Sequence, residues 1–194
     1  MKYFFYLINY ILSLLYDVYY FFFGTLRKRI LGLSYYKKTK LYPDYLKEGA
    51  MVESVKFLAQ KYCQGKGIDI GGGKWSFSRA RVIENTPQEN AYKIKEKDRS
   101  LDFVFSSHTL EHLEDWQRAL REWIRVLKLN GTLFIYLPHP CCKMWQKGIL
   151  KQHKWNPDPK TLSDFLEKNL KMKIVEISFL PDGYLSFLIV AKKI

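Results

Sequence analysis

Four histidines are the only side chains in the chain that exchange protons near neutral pH without help, and three lie close to sequence features that suggest a site. His139 stands in Pro138-His139-Pro140, at the carboxyl end of an apolar run that reads as a strand, where open α/β sheets bind ligands. His153 lies a little further on, in Lys151-Gln152-His153-Lys154-Trp155-Asn156-Pro157. His108 and His112 sit in His108-x-x-Glu111-His112, the letters of a zinc hydrolase pattern in which a helix aims two histidines at metal and a glutamate activates water. That reading is disfavoured because His108 follows a strand directly, so a helical relation to His112 is not expected, and the expected metal set is none. His112 reads as a helix start. The other chemical landmark is Gly71-Gly72-Gly73, directly after Gly67-Ile68-Asp69-Ile70, where backbone must approach something closely. It is no Walker phosphate loop, since Trp75 follows Lys74 and Ile68 holds the first glycine position. The dinucleotide fingerprint fails too, with Ser76 in place of its third glycine.

The elements around these landmarks alternate. Helical spacing of Met51, Val55, Leu58 and Tyr62 predicts a helix from Pro43 to Tyr62, followed by the strand into the glycine turn. Leu101 to Ser107 reads as a buried strand. The next helix begins near Glu114 and Asp115, carries Trp116, Leu120, Trp123, Ile124 and Leu127 on one face, and is expected to stop at Asn130-Gly131. Thr132 to Leu137 is another apolar strand, so the unit is a right-handed parallel crossover. A helix from about Pro159 to Leu170 and two strands around Pro181-Asp182-Gly183 complete the chain.

Composition bounds the rest. A chain of 194 residues, 47% hydrophobic and 26% charged, suits one domain with a short appendage and rules out disordered or collagen-like classes. The net charge of +13 favours anionic company. Cys63, Cys141 and Cys142 make no disulfide framework and no metal spacing, which points to a reducing compartment. Residues 3 to 23 form a hydrophobic segment whose Asn9, Ser13 and Asp17 recur every fourth position, a polar stripe suited to a helix lying in a membrane interface. Arg27, Lys28, Arg29, Lys37, Lys38 and Lys40 then form a basic collar suited to anionic lipid on the cytoplasmic side. The division expected is therefore 1–40 as a mooring segment and 41–194 as the domain, with packing on its own domain or on a twin subunit as the alternative use of the helix. Nucleic acid is disfavoured, since no recognised motif accompanies the basic run.

Three stretches in order, Ile68-Asp69-Ile70-Gly71-Gly72-Gly73, Leu101-Asp102-Phe103-Val104-Phe105-Ser106-Ser107-His108-Thr109-Leu110-Glu111-His112-Leu113 and Leu127-Lys128-Leu129-Asn130-Gly131-Thr132-Leu133, resemble class I S-adenosylmethionine-dependent methyltransferases over about residues 45 to 194. The resemblance implies a Rossmann-like, mostly parallel sheet closed by an antiparallel C-terminal hairpin, with S-adenosylmethionine as cofactor. It implies that Asp69, Gly71, Gly72 and Gly73 hold the methionine and ribose end, that Glu84 takes the ribose hydroxyls, that Asn90 and Ala91 meet the adenine edge, and that Ser106, Ser107 and His108 line the methionine side. Only residues 74 to 101 separate Gly73 from Asp102, too few for the family's usual helix, strand, helix and strand. The expectation is that a loop replaces the first helix, Arg81 to Glu84 keep the second strand, and the next helix and strand are lost. Methylation of a hydroxyl needs a base, for which His139 and His153 are the candidates, with Trp155 available to stack on a sugar. The function expected is methyl transfer to a small-molecule or lipid-linked glycan hydroxyl on the cytoplasmic face of a membrane. A scaffold that keeps the fold without turnover is the alternative.

Overall fold

A computed structural model describes residues 53–73, 76–141, 145–149, 151–182 and 185–194. The hydrophobic segment, the basic collar and the predicted helix start at Pro43 lie outside the described residues, as do Lys74, Trp75, Cys142, Gly183 and Tyr184. The elements are α1 (Glu53–Tyr62), β1 (Gly67–Ile70), β2 (Ala80–Ile83), β3 (Leu101–Ser107), a 3-10 turn (Leu110–His112), α2 (Trp116–Val126), β4 (Leu127–Pro138), α3 (Pro159–Leu170), β5 (Met172–Ile177) and β6 (Ser186–Lys193). They form one six-stranded sheet in the order β2-β1-β3-β4-β6-β5, parallel from β2 to β4 and antiparallel where β6 joins β4 and β5.

Alternation along the central strands divides the core between two faces, because successive side chains of a strand point to opposite sides. Phe103, Phe105, Phe134 and Tyr136 pack with Val55, Ala59 and Cys63 around α1. Val104, Leu133, Ile135 and Leu137 pack on the other side with Leu120 and Trp123 of α2 and with Leu162 and Leu166 of α3. Gly67 is needed where β1 meets this packing, since a Cβ there would lie 2.4 Å from the Phe103 ring.

The shortened connection is as expected: β2 is kept, and no helix or strand lies between Ile83 and Leu101 apart from an isolated bridge of Asn90 with Lys93. An irregular segment must satisfy its backbone polar groups elsewhere, and α2 supplies the partners. Trp123 Nε1 donates to Ala91 O at 2.9 Å, Arg125 Nη2 donates to Ile94 O at 2.9 Å, and Ile94 N donates to Glu122 Oε1 at 2.8 Å. Arg81 grips Glu89 with both terminal nitrogens, at 2.7 and 3.0 Å.

Helix α2 corrects one expectation. Its N-terminus is capped by Asp115, whose Oδ1 accepts from Arg118 N at 3.0 Å, but it ends at Val126, ahead of Asn130-Gly131. Leu127 already pairs with Leu101, and the register to β3 then jumps so that Phe103 meets Thr132. Asn130 takes φ +62, and a Cβ on Gly131 would sit 2.8 Å from Lys128 O. The dipeptide shapes a bulge inside β4 instead of closing a helix, because the same left-handed tolerance serves both turns.

The brace on the shortened connection can be measured. Trp123→Ala is expected to lower unfolding free energy by about 3–5 kcal/mol through cavity formation. Trp123→Phe keeps most of the burial, leaves Ala91 O unpaired, and is expected to lose about 1–3 kcal/mol. Urea denaturation of the two variants reads both values, and an unchanged Trp123→Phe midpoint would remove the brace from the account.

Candidate functional site

The carboxyl ends of β1 and β3 set the first half of the site. Asp69 is the third residue of a strand buried throughout and is itself 1% exposed. Its Oδ2 accepts from Phe77 N at 2.7 Å, whereas Oδ1 is buried with no hydrogen-bond partner. Burial is the dominant influence on this carboxyl and pushes its pKa up to about 7, against the Phe77 hydrogen bond and with help from the negative charge of Glu84. Around it the chain turns through Gly71 (φ +78) and Gly73 (φ +52), a region where a Cβ is strained. A Cβ on Gly72 would stand 2.4 Å from Asp69 Oδ2, and one on Gly71 would stand 2.2 Å from Thr109 Oγ1. An orphaned acceptor beside a turn that only glycine can form is a cradle for a cationic ligand with hydrogen-bond donors, which fits the methionine end of S-adenosylmethionine.

The other expected cofactor residues are placed as follows. Glu84 is exposed just past the end of β2, near enough to Asp69 to influence its charge. Ser106 is buried and its Oγ donates to Ile70 O at 3.1 Å, tying β3 to β1 beside the glycine turn. Ser107 follows, its carbonyl accepting from Thr109 Oγ1 at 3.2 Å. Asn90 uses its Oδ1 to accept from Tyr92 N at 2.9 Å and its Nδ2 to donate to Thr86 O, and Ala91 packs against the core with its carbonyl taken by Trp123. Asn90 and Ala91 thus shape the turn that follows β2.

His108 (φ +49) turns away from that turn: its Nε2 lies 3.1 Å from Ser186 Oγ, its Nδ1 3.3 Å from Glu111 Oε1, and its ring meets Tyr136 and Trp145 edge-on. These contacts make it a positioning residue for Glu111.

The two candidate bases separate. His139 is buried, with Nδ1 accepting from Cys141 N at 3.1 Å, so its Nε2 carries the proton and donates to Phe179 O at 3.0 Å. Both nitrogens are bonded to backbone, so His139 braces the end of β4 in this structure. His153 is 3% exposed and packs against His112 and Trp145, with neither ring nitrogen in a formed hydrogen bond. Burial lowers its pKa, against the raising influence of Glu111. Trp155 stacks on Trp116 with centroids 4.5 Å apart and donates from Nε1 to Leu110 O at 2.8 Å.

Trp145 was not singled out in the sequence, and Glu111 only within the disfavoured zinc pattern. Trp145 reaches the edge through the insert after β4, with no pattern around it to mark it. Glu111, fully buried, is a helix-turn residue by its neighbours, and only the His-x-x-Glu-His spacing signals it.

The comparisons bear on the fold. Residues 49–135 match a family described as a methyltransferase domain. Among solved structures, a Pyrococcus horikoshii protein is similar at 21% identity and TM-score 0.57, over 83% of this chain and 99% of that one. An Aquifex aeolicus S-adenosylmethionine-dependent methyltransferase is similar at 16% identity and TM-score 0.56, over 79% and 94%. A Thermotoga maritima S-adenosylmethionine-dependent methyltransferase is similar at 18% identity and TM-score 0.52, over 71% and 93%. No curated protein sequence matches.

The protonation of Asp69 yields a signed prediction. Folded Asp69 holds its proton until about pH 7, whereas the unfolded carboxyl releases it near the model-peptide value of 3.8. Between the two the unfolded chain binds fewer protons, so stability falls as pH rises from 4 to 7 and levels off above. Asp69→Asn is expected to abolish that slope in thermal melts. Cofactor affinity, which uses the ionised carboxylate, should be about tenfold weaker at pH 6 than at pH 8. Gly72→Ala should weaken it roughly 5- to 150-fold, the equivalent of an overpacking penalty of about 1–3 kcal/mol. Titration calorimetry reads both, and equal affinity at the two pH values would contradict the role given to Asp69. The six-stranded sheet has the Rossmann-like methyltransferase fold, residues 49–135 match a methyltransferase domain, and together these imply S-adenosylmethionine as cofactor.

Proposed function

We propose that this methyltransferase methylates a sugar hydroxyl, in a small or lipid-linked glycan, at an anionic membrane surface on the cytoplasmic side. S-adenosylmethionine supplies a sulfonium-activated methyl group, which leaves the protein to align an acceptor oxygen and to exclude water. The observation that carries the reading is the composition of the sheet edge beside the glycine turn, where Trp145 and His153 from the insert after β4 come together with His108 and Glu111. Trp145 is partly exposed at this edge, and an aromatic ring beside histidines suits a polyhydroxylated acceptor. His153 is the candidate histidine that belongs to this edge.

The membrane part of the proposal rests on the sequence of residues 3 to 40, with its polar-striped hydrophobic segment and basic collar. Among the described residues no helix is long and apolar enough to cross a membrane.

Incubation of the full chain with methyl-tritiated S-adenosylmethionine and a panel of free sugars, lipid-linked glycans, small amines and proteins tests the acceptor. Base-stable label in the glycan fractions is expected, and label confined to amines or proteins would overturn the hydroxyl assignment. Cofactor binding without label in any fraction would favour the scaffold. For the membrane, sedimentation with phosphatidylserine-containing vesicles is expected to fall about 100-fold when Arg27, Lys28 and Arg29 are changed to Ala, at about 1 kcal/mol per basic residue. Vesicle binding indifferent to those changes and to salt would remove the basic collar from the proposal.

A further inference from the structure

We propose that Glu111, His112 and His153 form a binding site for one divalent transition-metal cation. Each offers one ligand atom, and the three atoms lie within 4.8 Å of one another. Ligands held at about 2.1 Å from one ion stand at most about 4.2 Å apart, so side-chain adjustments of less than about 1 Å would close the site. Two imidazoles and a carboxylate are borderline donors that suit zinc, cobalt, nickel, manganese or iron, whereas magnesium and calcium prefer oxygen alone.

Burial supplies the independent observation. Glu111 is 0% exposed and His153 3%; Glu111 Oε2 makes no hydrogen bond within the chain, Oε1 has only the His108 ring at 3.3 Å, and the two ring nitrogens of His153 make no well-formed hydrogen bond. Polar atoms removed from water without partners are costly, and buried charge is retained where it is paired or coordinates metal. A cation between these groups satisfies both residues at once. His108, with Nδ1 3.3 Å from Glu111 Oε1, orients the carboxylate from the opposite side and is itself held by Ser186.

The geometry around His112 fits a ligand. Its Nδ1 lies 3.2 Å from Gln152 O, and a carbonyl only accepts, so Nδ1 carries the hydrogen and the lone pair belongs to Nε2. A backbone carbonyl that fixes the tautomer in this way is the usual outer partner of a metal-bound histidine. The two segments that carry the ligands are also locked together by contacts that need no metal. Lys154 N donates to Glu111 O at 2.8 Å and Trp155 Nε1 donates to Leu110 O at 2.8 Å. The site is thus built on the backbone before any ion arrives.

This arrangement differs from the zinc hydrolase pattern in the same letters. There His108 and His112 would be ligands and Glu111 the base, whereas the 3-10 turn Leu110–His112 aims Glu111 and His112 together at a histidine supplied by the insert after β4. Three protein ligands leave coordination positions open for water or for an oxygen of another molecule. The turn follows Thr109, against which Gly71 packs, so the turn that carries Glu111 and His112 begins next to the glycine cradle. Cation binding is independent of the acceptor proposed above, and only the use of the ion to bind an acceptor hydroxyl rests on that reading.

Metal alone tests the site. The untagged full chain, stripped with chelator, is titrated with cobalt(II) and read by its visible d–d absorption, with metal content measured after dialysis. One equivalent bound is expected, with loss of stoichiometric binding in Glu111→Gln, His112→Ala and His153→Ala and its retention in Glu114→Ala. His112 is only partly buried, so His112→Ala decides the matter if the buried variants fail to fold by near-ultraviolet circular dichroism. No stoichiometric uptake by the unaltered chain, or uptake that His112→Ala leaves intact, would overturn the site. Calorimetry with S-adenosylmethionine is run in parallel: cobalt binding without cofactor binding would leave the site standing and remove the methyl-transfer reading, and the converse would do the reverse.

Discussion

A carboxyl group buried at the end of a central strand is the constraint around which the rest of the structure is arranged. Asp69 sits where β1 meets the glycine turn, with one oxygen bonded to Phe77 N and the other without a hydrogen bond. The Phe77 contact anchors the returning loop to the core, since the Phe77 ring stacks on Phe105 with centroids 5.3 Å apart and meets Phe103 edge-on. A side chain on Gly72 would collide with the carboxylate and one on Gly71 with Thr109, so the turn's shape, the carboxyl's burial and the position of the β3 edge are set together. Leaving an acceptor without a partner in that position is unfavourable for the free protein and favourable for a bound cationic ligand, which is the exchange a cofactor site requires.

The second constraint is economy. With only residues 84 to 100 between β2 and β3, the chain has no room for another helix and strand, and its backbone donors and acceptors must find partners outside a sheet. Helix α2 provides them on the side away from the site, through Trp123, Glu122 and Arg125, while the opposite edge of the domain is built out by the insert between β4 and α3. Where the connection after β2 is short, the insert after β4 is long, and it brings Trp145, Gln152 and His153 together with His112.

Much of this was legible in the residues because local signals and global fold agree. The apolar run into Gly71-Gly72-Gly73, the buried strand ending at Ser107 and the closing hairpin each carry their own pattern, and α3 begins and ends at Pro159 and Leu170, as its periodicity implies. The loss of a helix and strand was readable from length alone. Signals that serve two structures were not resolvable: Asn130-Gly131 suits a helix end or a bulge equally, and pairing of Leu127 with Leu101 decides it. Histidine roles were the least legible. His139 sits at the expected strand end, yet its partners are the backbone of Cys141 and Phe179, the latter 40 residues away. Glu111 and His153 meet only because the insert folds back onto the 3-10 turn, a contact with no sequence period to announce it.

The state of the Asp69 carboxyl tests the central claim most directly. Nuclear magnetic resonance of the side-chain carboxyl carbon, followed across pH in the free protein and again with saturating S-adenosylmethionine, reads its protonation without reference to turnover. The account predicts titration at about 7 in the free protein and a clear downward shift when the cofactor is bound. A midpoint near 4 in the free protein, or one that S-adenosylmethionine leaves unmoved, would contradict it.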